Sequence, residues 1–301
     1  MQAIEKGLWS SQIGNATVYV LETEDSIALA HSRDLVGEEK RKLMKRVARQ
    51  YFLKFARFFR SLDHFSWVLI ERGGRFVAPT DDEMLAWWGG PRPISRLEMK
   101  RDLDQKKECS WRGRFVWGLE DLLARRDRNW VVGETCLASG TTLYTLVSAA
   151  LDVYPQPSLR HVILVCPVVG SYGLRRLIKL CSANNIALTV YTSGIWWVNS
   201  EGYDSGLPFT DFVINDEPDP DNLQFVPPKT KSVYQQQYRG KPVCVVGDAG
   251  DSMAVRDDGL EDNKAQFNYM RDTVKGFKNL GLDPHKYFPS WPLNELILAV
   301  A

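Results

Sequence analysis

No apolar run in this 301-residue chain approaches the roughly eighteen residues of a membrane-spanning helix. The opening M-Q-A-I-E-K also lacks the apolar core of a secretory leader. Neither sign of charge is in excess: 38 Lys and Arg face 37 Asp and Glu, a net charge of +1. That balance argues against a generally polyanionic partner such as nucleic acid, and the missing apolar span against a membrane. Cysteine is sparse: Cys109, Cys136, Cys166, Cys181 and Cys244 are odd in number, scattered and without metal-ligand spacing. A reduced, cytoplasmic protein is the simplest expectation. Internal repeats, low-complexity tracts and any Ser/His/Asp or Cys/His arrangement are absent too. What remains is 44% hydrophobic residues, with ten tryptophans, enough for a large core in one large or two small domains.

Residues 17–21 (T-V-Y-V-L) and 26–30 (S-I-A-L-A) read as two short strands around an acidic turn. Residues 37–60 predict one long amphipathic helix. Leu43, Val47, Tyr51, Phe55 and Phe59 recur every fourth residue, with Met44, Ala48 and Phe52 beside them. Its other face is basic. That face could meet nucleic acid or a membrane, but the balanced charge favours a solvated face, with the aromatic side on the core or on a subunit. Residues 65–70, 161–168 and 187–191 predict strands. Residues 174–181 predict a helix with Leu174, Leu177, Ile178 and Cys181 on one face, and residues 261–280 another, stopped by Gly281 and Pro284. His161 is expected at a sheet edge and His285 at the surface, neither in catalysis. Strands alternating with helices imply an α/β fold with a doubly wound, mainly parallel sheet.

The chemistry concentrates in N-W-V-V-G-E-T-C-L-A-S-G-T-T-L, residues 129–143. A short apolar run, Trp130 to Val132, fits a strand buried on both faces. Glu134 follows, then a loop ending in Ser139, Gly140, Thr141 and Thr142, and a helix-compatible segment from Leu143. A strand, loop and helix in that order make an anion site, because amides at the helix N-terminus point outward and the dipole favours phosphate. Gly140 permits close approach and the hydroxyls add donors. Glu134 lies six residues before that glycine, too far for the same phosphate oxygens but suited to neighbouring sugar hydroxyls.

Three further stretches accompany it. The strand at 65–70 runs into Glu71-Arg72-Gly73-Gly74-Arg75, where glycines allow close approach and Arg72 offers a bidentate fork to phosphate. Residues 94–102 lead through Arg101 and Asp102 into the polar L-D-Q-K-K-E-C. Last, Tyr191, Thr192, Asn199, Gly202 and Tyr203 precede a Pro- and acid-rich piece, after which comes Gly247-Asp248-Ala249-Gly250-Asp251. The piece between reads as an inserted loop.

In order and spacing these stretches, over roughly residues 65–252, resemble type I phosphoribosyltransferases, most closely the uracil enzymes. The chain departs from the family where Thr135 replaces a second acid, where Ser252 stands for an arginine, and where the insertion at about 212–242 separates the base motifs. The resemblance implies the type I fold with an N-terminal helical arm (1–60), a core (61–254) carrying a flap hairpin, and a C-terminal helical extension (255–301). It implies transfer of a 5-phosphoribosyl group from phosphoribosyl pyrophosphate to a nitrogen of a uracil-like or unusual base, releasing diphosphate. Glu134, Arg72 and Arg101 would be catalytic. Gly73, Gly74, Thr135, Ser139, Gly140, Thr141 and Thr142 would bind phosphoribosyl pyrophosphate, and Tyr191, Thr192, Tyr203 and Asp248 the base. A non-proline cis peptide in the Arg72 loop would fit the family. Mg²⁺ would arrive mainly on the substrate's diphosphate, and the protein would be a homodimer. The other reading is a catalytically silent protein of the same fold that binds nucleotide and regulates.

Overall fold

The computed structural model describes residues 1–31, 34–62, 64–71, 74–90, 92–103, 111–125, 127–153, 159–198, 212–213, 224–238, 251–256, 260–279 and 281–300. Three antiparallel strands open the chain, β1 (Gln2–Glu5), β2 (Leu8–Ile13) and β3 (Ala16–Leu21), followed by helices α1 (Glu24–His31), α2 (Gly37–Lys54) and α3 (Ala56–Arg60). Next come β4 (Phe65–Ile70), α4 (Asp81–Trp88), β5 (Ile94–Leu103), β6 (Trp111–Trp117) and α5 (Leu119–Arg125). The middle of the chain holds β7 (Asn129–Gly133), β8 (Cys136–Leu137), α6 (Thr141–Val153), β9 (His161–Val165), β10 (Val168–Gly170) and α7 (Ser171–Ala183). It continues through β11 (Ala187–Thr192), β12 (Ile195–Val198), β13 (Phe212–Val213) and α8 (Pro228–Tyr238), and ends with α9 (Asn263–Asn279), α10 (Pro284–Tyr287) and α11 (Leu293–Leu298).

Nine strands form the main sheet in the order β1-β2-β3-β11-β9-β7-β4-β5-β6. The six from β3 to β5 are parallel, and an antiparallel strand or pair closes each edge. The fold is therefore α/β with a mostly parallel sheet. Central strands alternate sides at period two. Trp130, Val132, Val162 and Leu164 meet α5, α6 and α7 on one face; Val131, Ile163, Val165 and Tyr191 meet α2 and α3 on the other. The basic helix thus turns its aromatic side to the core, through Leu43, Met44, Val47, Ala48, Tyr51 and Phe52. A short break at Phe55 separates it from α3, so the single helix expected over 37–60 is two.

Four other expectations change. Residues 26–30 are helical, not a strand: the Ser26 amide donates to Thr23 Oγ1 (3.1 Å) and the Thr23 amide to Ser26 Oγ (2.8 Å). This reciprocal cap, with Glu24 and Asp25 in the first turn, starts a helix where a short apolar run alone is ambiguous. His161 opens a central strand rather than an edge one, paired on both sides. The apolar run 161–168 is two strands, because β7, β9 and β11 each bend after the carboxyl end and lead into β8, β10 and β12 of a small second sheet, order β13-β12-β10-β8. Within the presumed inserted loop, residues 228–238 form α8, with Pro228 at its first position. Thr230 ties it to Glu22 at 2.8 and 3.0 Å.

A third core lies over that small sheet. Tyr269, Val274, Phe277, Phe288, Trp291 and Leu296 of the C-terminal helices pack with Trp196 and Ala138. Arg41 of α2 pairs with Glu261 and donates to the Met253 carbonyl (3.2 Å), fastening that layer to the body. No helix among the described residues is long and apolar enough to cross a membrane.

Candidate functional site

From β4 the chain steps to β5 on one side, then returns to β7, β9 and β11 on the other. The reversal lies between β4 and β7, and in such sheets ligands bind outside the carboxyl ends of the strands at that point. Two of the predicted loops leave the sheet there. After β4, Gly74 rests against Gly133 at the end of β7: a Cβ on Gly74 would lie 2.3 Å from the Gly133 carbonyl oxygen. Arg72 and Gly73, and with them the cis peptide expected there, lie outside the described residues.

After β7, the Glu134 amide donates to the Val165 carbonyl (3.1 Å). Its half-buried carboxylate accepts from the Thr135 amide at 2.8 Å through Oε1. Thr135 is buried. The chain then turns through Ser139 and Gly140 into α6. Gly140 has φ 72°, left-handed, and a Cβ there would meet the Gly173 carbonyl oxygen at 2.8 Å, so position and packing both require glycine. Glu134 and residues 136–143, hence Ser139, Gly140, Thr141 and Thr142, line one open cleft. Within it Ser139 (6% exposed) and Thr141 (3%) share a hydroxyl bond of 3.0 Å, and the Thr141 amide donates to Ser139 Oγ at 3.3 Å.

Sequence reasoning missed Gly173 and Arg176 of α7. A Cβ on Gly173 would lie 2.4 Å from the Ala138 carbonyl oxygen, so two βα turns meet backbone to backbone. Arg176 Nη1 donates to the Ser139 carbonyl (2.9 Å) and to Thr141 Oγ1 (3.3 Å). Its guanidinium lies 4.7 Å from the Tyr144 ring centre. The available signal was a glycine in the first turn of a helix with an arginine three residues on, S-Y-G-L-R-R.

Two expected base contacts are corrected. Tyr191 is 1% exposed, its ring stacked on Tyr19 and tilted against Phe55 and Phe59 on the α2 side. Strand alternation sends it into the core. Thr192 is fully buried, and its hydroxyl donates toward the Pro167 (3.1 Å) and Gly194 (3.0 Å) carbonyls, shaping the turn into β12. Tyr203 and Asp248 lie outside the described residues. The residues just after Asp248 come close: Arg75 Nη2 donates to the Val255 carbonyl (3.2 Å), so segment 251–256 runs beside the loop after β4.

The expected flap is an edge hairpin. Ile94 to Leu97 of β5 pair with β4, whereas Glu98 to Leu103 pair with β6. The hairpin therefore extends past the carboxyl end of β4, on the side of the cleft. The Arg101 backbone pairs with Gly113; its side chain lies outside the description.

Among the described residues, no group of three or more His, Cys, Asp or Glu could hold a metal.

No family model matches the chain, and no curated protein matches it. Among solved structures, it is similar to the AQ2163 protein from Aquifex aeolicus, at TM-score 0.44 and 15% identity, covering 62% of this chain and 90% of that one. It is also similar to a purine phosphoribosyltransferase from Pyrococcus horikoshii (0.31, 10% identity, 51% and 86% covered). A hypoxanthine phosphoribosyltransferase from Staphylococcus aureus gives 0.32 at 12% identity, with 52% and 75% covered.

Proposed function

We propose that this protein transfers a 5-phosphoribosyl group from phosphoribosyl pyrophosphate to a ring nitrogen of a small heterocyclic base, uracil-like or unusual, releasing diphosphate. One observation carries the reading: Glu134 and the Ser139–Thr142 turn share a cleft at the sheet's switch point. The anomeric bond to diphosphate lengthens and leaves an oxocarbenium-like sugar. Glu134 holds the ribose hydroxyls, and its charge favours the developing cation. Ser139, Gly140, Thr141 and Thr142 anchor the 5-phosphate. Arg72, Gly73 and Gly74 hold the departing diphosphate, and Arg101 approaches on the hairpin. Mg²⁺ on that diphosphate would neutralise charge as it develops. Tyr203 and Asp248 take the base, Asp248 accepting a ring N–H. A cytoplasmic homodimer belongs to the same proposal.

A second reading, a nucleotide-binding regulator, is favoured by one observation. Thr135 stands where the resembling family has a second acid, and its amide holds Glu134 Oε1. Incubation with phosphoribosyl pyrophosphate, Mg²⁺ and a panel of bases decides between them. Diphosphate release with at least one base is expected. Silence across the panel with nucleoside monophosphate binding retained supports the regulator, and silence without binding overturns both.

A further inference from the structure

The site's phosphate end carries a proton imbalance. Ser139 Oγ and Thr141 Oγ1 share one hydrogen bond of 3.0 Å, which consumes one of two hydroxyl protons. Among the described residues, the pair's other hydrogen-bond partners are donors: the Thr141 amide toward Ser139 Oγ (3.3 Å) and Arg176 Nη1 toward Thr141 Oγ1 (3.3 Å). Neither an amide N–H nor a guanidinium can accept. Whichever hydroxyl donates within the pair, the second proton needs another acceptor.

Arg176 enforces this arrangement. Were its place taken by an acceptor, the spare proton would be spent inside the loop. The same Nη1 holds the Ser139 carbonyl at 2.9 Å, which fixes the turn that aims the helix amides. Tyr144 and Tyr172, 4.7 and 5.9 Å from the guanidinium carbon, flank it, so the fork is preorganised rather than swinging in solvent. Charge adds a reason. Glu134 brings a carboxylate to the same cleft, and a doubly charged ligand there needs a cation within reach. Arg176 is a cation hydrogen-bonded to this loop.

We infer that Arg176 is a positioning residue for the 5-phosphate, acting through Ser139 and Thr141. It leaves one hydroxyl proton to donate to the ligand and tunes the loop for a phosphate dianion over the monoanion or a neutral 5-hydroxyl. The inference rests on the proposed sugar-phosphate site and names how that site selects its charge state.

Calorimetric titration with ribose 5-phosphate tests it, on the full chain and on Arg176→Met and Arg176→Lys, between pH 5 and 8. The wild type should bind, and weaken as the pH falls through about 6, where the second phosphate proton is taken up. Arg176→Met should bind about tenfold or more weakly at pH 8 and lose most of that pH dependence, with an unchanged circular dichroism spectrum. Arg176→Lys should recover part of the affinity and the pH profile, since charge and donor return without the fork. A purely structural arginine would lower affinity equally at every pH, and that result overturns the inference. So does wild-type affinity in Arg176→Met. If the wild type itself does not bind ribose 5-phosphate at any pH, the proposed function fails first and this inference with it.

Discussion

Gly74 and Gly133 lie so close that a single methyl group on Gly74 would sit 2.3 Å from the Gly133 carbonyl oxygen. The loop after β4 and the end of β7 are thus seated on each other, 59 residues apart in sequence. Gly74→Ala should force these strand ends apart and cost about 1–3 kcal/mol, the usual range for overpacking. A denaturant melt checks the stability. An unchanged midpoint would mean the contact is not tight.

Glu134→Gln keeps an oxygen able to accept the Thr135 amide bond (2.8 Å) but removes the charge. Turnover should fall by about 10²–10³-fold, the order seen when one preorganised electrostatic group is lost, while the melting temperature holds. Diphosphate release at wild-type rate would remove Glu134 from the ribose site.

Thr141→Glu puts a carboxylate where the helix amides and Arg176 favour an anion. Ribose 5-phosphate binding should be lost, as read by calorimetry. Retained micromolar affinity would place the phosphate elsewhere.

The C-terminal helices brace the loop from behind, since Ala138 belongs to their core. Phe277 is fully buried there, so Phe277→Ala should cost about 3–5 kcal/mol. Because Ala138 belongs to the same core as Phe277, ribose 5-phosphate affinity should fall too, at a temperature where the variant is still folded. Stability loss with intact affinity would uncouple the extension from the site.

His161 is held below its ordinary pKa of 6.5 by burial, and its Nε2 bonds Thr189 Oγ1 at 2.8 Å. The unfolded chain therefore takes up a proton that the folded chain resists. The native state keeps its full stability above about pH 6.5 and loses some as the pH falls from there toward the depressed value. His161→Gln should flatten that part of the stability profile in urea melts from pH 7.5 to 5. A parallel profile in both proteins would contradict the assignment.

Much of this architecture is legible because central parallel strands leave short, wholly apolar runs and amphipathic helices leave four-residue spacing. Residues 65–70 and 187–191 are examples. The Glu134-to-Thr142 loop is legible for a different reason: an acid, hydroxyls and a glycine between strand and helix leave few alternatives. What escaped depends on tertiary placement. Tyr191 lies near the carboxyl end of a central strand, yet alternation turns its ring toward Phe55. Residues 26–30 needed the Thr23–Ser26 cap to be distinguished from a strand. Arg176 reads as one of two arginines on a solvated helix face until Gly173 brings α7 against Gly140.

The most direct test is a crystal of the full chain grown with ribose 5-phosphate. The phosphate should lie within hydrogen-bonding distance of the Thr141 and Thr142 amides, with the ribose hydroxyls turned to Glu134. A phosphate bound elsewhere, or a sugar beyond the reach of that carboxylate, would contradict the account.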